Sequence, residues 1–417
     1  SDIARDGRIG GEILGTWRDT DNSTHGQAML AIDDSSFGLL AGYSWRDGEQ
    51  VDSGAADDSL DTRNYKRETT LLKFVANNRF GHSVRASVMR QDGHTLSDLN
   101  SVLGADRYRS TTALEGDDRQ RLDVVNLAYE FGSPEGWIDS AVLRGFWEQA
   151  DIDQYTLDER AAARTPVSID RLFAYDQEIR GAELNLWKSF SGERMTHRVG
   201  LGVEYRNRRT EEFRDGLSTD LASGEQSNVL LGEVFPLRDF PISDTIETAA
   251  FIEDTISIGK KWTVIAGLRA DRDELNPDVD AMYLADYPEY ETTRLDESDV
   301  SPKLGIVYSV TPGIDAYVQY SHGFRAPPYS DANVSLELPL FGVRAVPNPD
   351  LKSESSDGYD IGLRWFGVRS TARISAFRTR YKDFIETKVN VGFDPASGFV
   401  LFQSQNIEHT TIEGFEA

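Results

Sequence analysis

Apolar and polar residues alternate one by one through most of this chain. Phe37, Leu39, Ala41, Tyr43 and Trp45 share one face of a run whose other face holds Gly38, Leu40, Gly42, Ser44 and Arg46. Val125, Leu127, Tyr129 and Phe131 alternate with Val124, Asn126, Ala128 and Glu130. Later, Tyr359, Ile361, Leu363 and Trp365 alternate with Gly358, Asp360, Gly362 and Arg364. A period of two belongs to strands with one apolar face and one polar or small face. Helical periods are hard to find, so the pattern predicts an all-β chain.

The connections alternate in length. Short turns rich in Gly, Pro, Asn, Asp and Ser fall near 33–35, 77–81, 133–136, 191–193, 257–260, 311–313 and 366–368. Long polar connections lie between them, at about 47–66, 91–118, 152–172, 211–243, 274–299, 324–352 and 382–398. A soluble sandwich has no reason to collect every long loop at one end. A membrane-spanning antiparallel barrel does, with short periplasmic turns and long extracellular loops. This reading gives about seventeen strands, the first starting near Arg8 and the last opening at Thr410. It puts Leu39 and Ala41 toward lipid, with Leu40 and Gly42 toward the lumen.

Composition then narrows the partners. The chain has 417 residues, no Cys and a formal net charge of −26. No basic stripe could neutralise phosphates, which excludes nucleic acid. The absence of Cys removes disulfide frameworks and thiolate metal sites. No apolar run approaches the roughly 20 residues of a spanning helix, and no secretion signal begins at Ser1. Mean hydropathy is −0.47, as in soluble proteins. A barrel, however, is apolar only at alternate strand residues, so periodicity outweighs the average. Tyr43, Trp45, Tyr320, Trp365 and Tyr381 sit near the loop ends of strands, as an interfacial girdle would, although ordinary strands also favour aromatics. Arg46, Arg90, Arg269, Arg272 and Arg364 fall on the lumen face or near loops, away from hydrocarbon.

The most specific stretch joins two alternating strands, 315–321 and 357–365. It reads Phe324-Arg325-Ala326-Pro327-Pro328 and, after an irregular run, Asn348-Pro349-Asp350-Leu351. This resembles the FRAP…NPNL segment of TonB-dependent outer-membrane receptors, most closely their haem and haemoglobin branch. Gly10-Gly11-Glu12 through Gly48, Phe251-Ile252-Glu253-Asp254 with Gly267-Leu268-Arg269-Ala270-Asp271, Ser301–Gly305 and Asn406–Glu416 also look like barrel segments of that family. Such barrels have about 22 strands. The resemblance therefore implies that 1–417 is a partial barrel domain, without the plug, the TonB-contacting box and roughly the last five strands.

The same resemblance implies gated uptake rather than catalysis. Loops would capture an extracellular iron source, haem or a haemoprotein foremost, for TonB-energised passage into the periplasm. The partners implied are the TonB complex (through the plug), the cargo and outer-membrane lipid. There is no intrinsic cofactor; haem or another iron chelate is the transported ligand. A siderophore is the alternative cargo. The alternative class is a secreted or surface β-protein acting as an adhesin or carbohydrate binder.

Haem needs an axial His or Tyr and an apolar floor. Related haem receptors often carry a His between the two motifs, but residues 328–347 contain none. Tyr329 is the Tyr available there, with Phe341 as an apolar neighbour and Arg344 for a propionate; loop packing is the plainer role for a Tyr beside Pro-Pro. His322 shares parity with Val318 and Tyr320, which sends it toward lipid. His94 lies in a long connection, either reaching cargo or simply solvated. Tyr283, Tyr287 and Tyr290, with Met282, make an aromatic-rich loop that would bind a ligand or a host protein, or pack on itself. Acidic pairs such as Asp57-Asp58, Asp117-Asp118 and Glu211-Glu212 are expected by chance among 70 acids. With no phosphate loop and no metal-ligand spacing, neither an enzyme nor a metal site is predicted.

Overall fold

The computed structural model of the protein describes residues 9–34, 36–51, 60–133, 136–161 and 165–417. The expected strand start at Arg8, Ser35 of the first turn, Pro134-Glu135 and the pair Asp57-Asp58 lie outside them.

Sixteen long strands make an antiparallel meander. They are β1 Ile9–Arg18, β2 Ser23–Asp33, β3 Phe37–Glu49, β4 Thr62–Asn77, β5 His82–Asp98 and β6 Thr111–Gly132. Next come β7 Ser140–Arg160, β8 Val167–Ser191, β9 Met195–Asp220, β10 Ile242–Ile258 and β11 Trp262–Asp278. The last are β12 Leu295–Thr311, β13 Ile314–Arg325, β14 Glu354–Phe366, β15 Thr371–Asp394 and β16 Phe399–Glu416. Each pairs with the next, and short strand pieces in the loops bring the sheet to 19 strands. Among the described residues β1 and β16 do not pair with each other.

Register turns the alternation into a continuous apolar row. Leu30 lies opposite Ala41, Ala41 opposite Leu72, Leu72 opposite Val88, and Val88 opposite Val125. Farther round, Leu143, Leu184 and Val203 line up, then Ile252 with Leu268, and Val318 with Ile361. Except for the half-buried Leu184, the large members of this row stay exposed, from 38 % at Val125 to 61 % at Ile361. Apolar side chains left bare across sixteen strands have one solvent that suits them, the hydrocarbon of a bilayer. The opposite face carries ion pairs instead, with Arg269–Glu204 at 2.8 Å, Arg206–Glu247 at 3.0 Å and Lys303 on Glu253. Arg90 and Arg272 share the outer parity but stand above the row, each neutralised by an aspartate, Asp123 or Asp296.

The strands are longer than the alternation predicts. β9 has 26 residues, whereas a crossing needs about 9–11. Stretches expected as loops, such as 91–98, 111–118 and 211–220, are strand. Above the membrane neither face needs to be apolar, so the ladder continues on backbone hydrogen bonds while the period-two signal vanishes. For the same reason β16 opens at Phe399 and not at Thr410. Irregular chain remains at 221–241, 279–294 and 326–353, and these three segments pack together at one end. Cysteines at Ala222 and Ala285, both exposed there, should label in intact cells with an impermeant maleimide. A cysteine at Lys260, in the opposite turn, should label only after the outer membrane is opened; the reverse would invert the topology.

Candidate functional site

The segment between the two sequence motifs begins as β13 ends. A four-residue helix, α2 Tyr329–Ala332, follows Pro327-Pro328. Motif residues act as pins here. Arg325 meets Glu354 at 3.2 Å, and Glu354 accepts from Ile385 N–H at 2.7 Å. Asn348 Nδ2 donates to the Ser404 carbonyl at 2.7 Å, while its Oδ1 accepts from Asp350 N–H. Leu351 is buried. Asp331 accepts from the Ser404 hydroxyl at 2.8 Å. The motif thus ties the segment to the β15–β16 hairpin at both ends.

Its middle is locked to the next loop. Asn333 is fully buried; its amide donates to the Thr293 carbonyl at 2.9 Å and accepts from Thr293 N–H at 2.6 Å. Tyr283, on the short helix α1 Ala281–Asp286, is also fully buried and shares a 2.7 Å hydrogen bond with Ser335. A second lock is ionic. Arg238 donates to Glu211 at 2.8 Å, to Asp280 at 2.9 Å and to the Glu212 carbonyl. Arg214 pairs with Asp239 at 2.7 Å and Glu233 at 3.0 Å. Leu230, Phe235, Leu237 and Ile169 form the apolar seed beneath.

Below this cap, on the lumen side, lies a cavity of about 690 Å³. Arg206, Arg208, Glu247, Arg269 and Asp273 line its wall, and Phe324 to Tyr329 form its roof. Tyr329 packs on Phe240, ring centroids 4.9 Å apart, and its hydroxyl shares a 2.9 Å hydrogen bond with that of Tyr175. Burial, then the Tyr175 contact, pushes the Tyr329 phenol well above its ordinary range.

The other candidates are dispersed. Tyr283, Tyr287 and Tyr290 stack in a row with centroids 5.3 and 5.4 Å apart, and the first two are buried. Burial pushes Tyr290 up to about 12. Arg344 is held by Glu337 at 2.8 Å and lies over the Phe399 ring. Phe341 is exposed and does not line the lumen cavity. His94 stands on β5, not in a loop, bonded to Asp117 at 2.8 Å. His322 bridges Asp299 and Asp357 at the cavity's edge, where β12 has already parted from β13. Tyr175, Phe240 and the ionic lock escaped the sequence reading.

Glu212 is the most perturbed acid in the cap. It is 2 % exposed, and one carboxylate oxygen has no hydrogen-bond partner. Burial, then Asp239, pushes its carboxyl from 4.5 up to about 8. The folded cap therefore holds a proton that the open cap releases, and cap stability falls as pH rises from about 4.5 through 8. Hydrogen-exchange protection of the loops in the assembled protein, corrected for the intrinsic rise of exchange with pH, should fall over that interval. Glu212→Gln should flatten the dependence; an unchanged profile would exclude Glu212 as its source.

Residues 16–417 match the family described as TonB dependent receptor-like, beta-barrel. The chain is 24 % identical over 412 residues to hemoglobin-haptoglobin utilization protein B of Neisseria meningitidis, covering 88 % of this chain and 48 % of that protein. It is 26 % identical over 336 residues to lactoferrin-binding protein A of the same species, covering 69 % and 34 %. The fold is similar to that of the Serratia marcescens hemophore receptor HasR, solved with its hemophore HasA and heme. That match has a TM-score of 0.72 at 14 % identity, covering 99 % of this chain and 61 % of that one. The chain spans about half the length, or less, of these curated relatives. With a family match across nearly all its residues and a bare apolar row around its sheet, the chain belongs to the TonB-dependent receptor-like β-barrel family of the Gram-negative outer membrane.

Proposed function

We propose that this chain is the wall and outer capture surface of a receptor that takes up an extracellular iron source, haem or a haemoprotein. A plug and the TonB complex would complete the transporter. The observation that carries this reading is the roof: the segment 324–351 closes the lumen cavity from outside and is pinned at both ends. Cargo arriving from the medium must pass it. The curated relatives named for haemoglobin, haptoglobin and lactoferrin support an iron source of host type. Tyr329 is the proposed axial contact, because it lines the cavity, whereas Tyr283 and Tyr287 are buried within the cap. Its raised phenol pKa means that iron would have to displace the proton. A ferric siderophore is the second reading; to meet an anionic chelate, Arg206, Arg208 and Arg269 on the cavity wall would exchange their ion pairs with Glu247 and Glu204 for it.

Growth of iron-starved cells carrying the whole receptor separates these cargoes. Hemin and haemoglobin should support growth, and hemin added to the purified receptor should give a phenolate-type absorption that Tyr329→Phe abolishes. A spectrum that survives the change would move the ligand elsewhere. Growth on ferric siderophores alone would overturn the choice of cargo. Deleting 329–346 should weaken uptake too, but it also removes Asp331, Asn333 and Ser335, so the point variant is the cleaner test.

A further inference from the structure

The lipid-facing surface is not uniform. Where β11 to β16 approach the short turns, it sinks into a groove of about 460 Å³. Ala316 and Ala376, both half-buried, leave the room, with Gly362 between them on β14. Ile361, Leu363, Ile374 and Phe415 stand exposed around them. Register gives these side chains one facing. Tyr308 lies opposite Ala316, Ala316 opposite Leu363, Ile361 opposite Ala376, and Ala376 opposite Phe415.

The turn-side end of the groove has different chemistry. Trp262 and Tyr308 pack there with ring centroids 4.4 Å apart, and Lys261 Nζ lies 5.8 Å from the centre of the Tyr308 ring. The Lys261 carbonyl accepts from Ser309 N–H at 2.8 Å, which holds this turn against β12. In a chain of net charge −26, the turns after β10, β12 and β14 carry Lys260, Lys261 and Arg369 and no acid. All three cations are exposed, and among the described residues none makes an ion pair. The acids close by in sequence do not answer them. Asp315 has the lumen parity, lies opposite Arg364 and accepts from the Ser309 hydroxyl at 2.7 Å. Glu193, in the adjoining turn, comes with a cation of its own, Arg194.

We propose that this face holds an anionic phospholipid of the periplasmic leaflet, with an acyl chain in the groove and the phosphate at Lys261 and Arg369. Hydrocarbon is already the solvent on this face, so the groove gains nothing by excluding water. It holds a chain by close contact along its walls. Charge then selects the headgroup. Unpaired cations at the membrane surface attract a phosphate, and the Trp262–Tyr308 pair sits at headgroup level beside them. A zwitterionic lipid offers the same phosphate but sets its ammonium against the three cations. Phosphates of the outer leaflet are a bilayer away, at the end that carries the cap.

The complete receptor, purified in mild detergent, is offered equal amounts of phosphatidylglycerol and phosphatidylethanolamine, and retained lipid is counted by native mass spectrometry. Phosphatidylglycerol should be retained in preference. Lys260→Gln, Lys261→Gln and Arg369→Gln together should weaken its retention by about tenfold or more, toward that of phosphatidylethanolamine. Ala316→Leu with Ala376→Leu fills the groove with apolar atoms and should weaken retention as far. Ala41→Leu makes the same kind of change elsewhere on the apolar row and should leave it intact. All these side chains lie on the surface, and the amount of assembled receptor checks the fold. Equal retention of the two lipids by the parent overturns the proposal. So does parent-like preference in the glutamine variant, or parent-like retention in the leucine pair. An equal loss in Ala41→Leu overturns it too, because the groove would then be ordinary bilayer contact.

Discussion

An arginine in place of Leu127 should destabilise the complete receptor by about 2–4 kcal/mol, while one in place of Asn126 should cost under about 1 kcal/mol. The two residues are neighbours at one depth, so local backbone and strand propensity are matched. Leu127 belongs to the apolar row, 56 % exposed and opposite Ala86 and Gly145. Asn126 has the opposite parity and lies across from Ser87 and Phe146. An arginine on the row must take its charge into hydrocarbon or drag water after it. On the other face it meets the polar lumen, where Arg144 already stands beside Glu183 at 3.5 Å. Urea unfolding of the receptor refolded in phospholipid vesicles measures the difference, and the amount assembled in the outer membrane should follow it. Equal costs, or a costlier Asn126→Arg, would overturn the facing of the whole sheet. Leu39 and Leu40, nearer the strand end, should show the same contrast in milder form.

That contrast also marks what the sequence discloses. Lipid demands an apolar side chain at every second residue, so Leu127, Leu39 and Ile361 announce both strand and facing. Above the bilayer the demand lapses. His94, Asp117 and Glu212 are strand residues with nothing in their sequence surroundings to say so, and the strands run on past the expected loop boundaries there. The central motif was legible as a motif, but its work was not: Asn348 and Arg325 hold the roof to β14, β15 and β16 through partners that no local pattern reveals. Tyr329 and Tyr175 share a hydrogen bond across 154 residues of sequence. Tyr283 looked like an exposed aromatic because its loop is acidic. Burial depends on what folds over it, here Ser335 and the α2 segment, and composition is silent on that.

The second large effect is expected at Arg238, which is 6 % exposed and holds three elements at once. Its guanidinium reaches Glu211 and the Glu212 carbonyl on β9, and Asp280 before α1, from the loop between β9 and β10. Arg238→Met keeps most of the volume but leaves two acids and a carbonyl without their cation. Breaking a fully buried pair from one side costs about 3–5 kcal/mol; Glu211 and Asp280 keep 36 % and 30 % side-chain exposure and can rehydrate, so the loss here falls below that range. The loss should appear as local opening of the cap rather than as unfolding of the barrel, because the wall below rests on its own ladder. Limited proteolysis of intact cells should therefore cut within 221–241 and 279–294, with the amount of assembled receptor nearly unchanged. Arg238→Lys should fall between the two, since a point charge cannot serve three acceptors as a planar fork does. Asp280 gives the control. Its carboxylate also accepts from Tyr283 N–H at 2.9 Å as the helix cap, a role that asparagine can take over. Adding Asp280→Asn to Arg238→Met removes one stranded charge and should restore part of the protection. A double variant cut faster than Arg238→Met alone would show that the lock is not ionic, and wild-type resistance in Arg238→Met would show that it is not a lock at all.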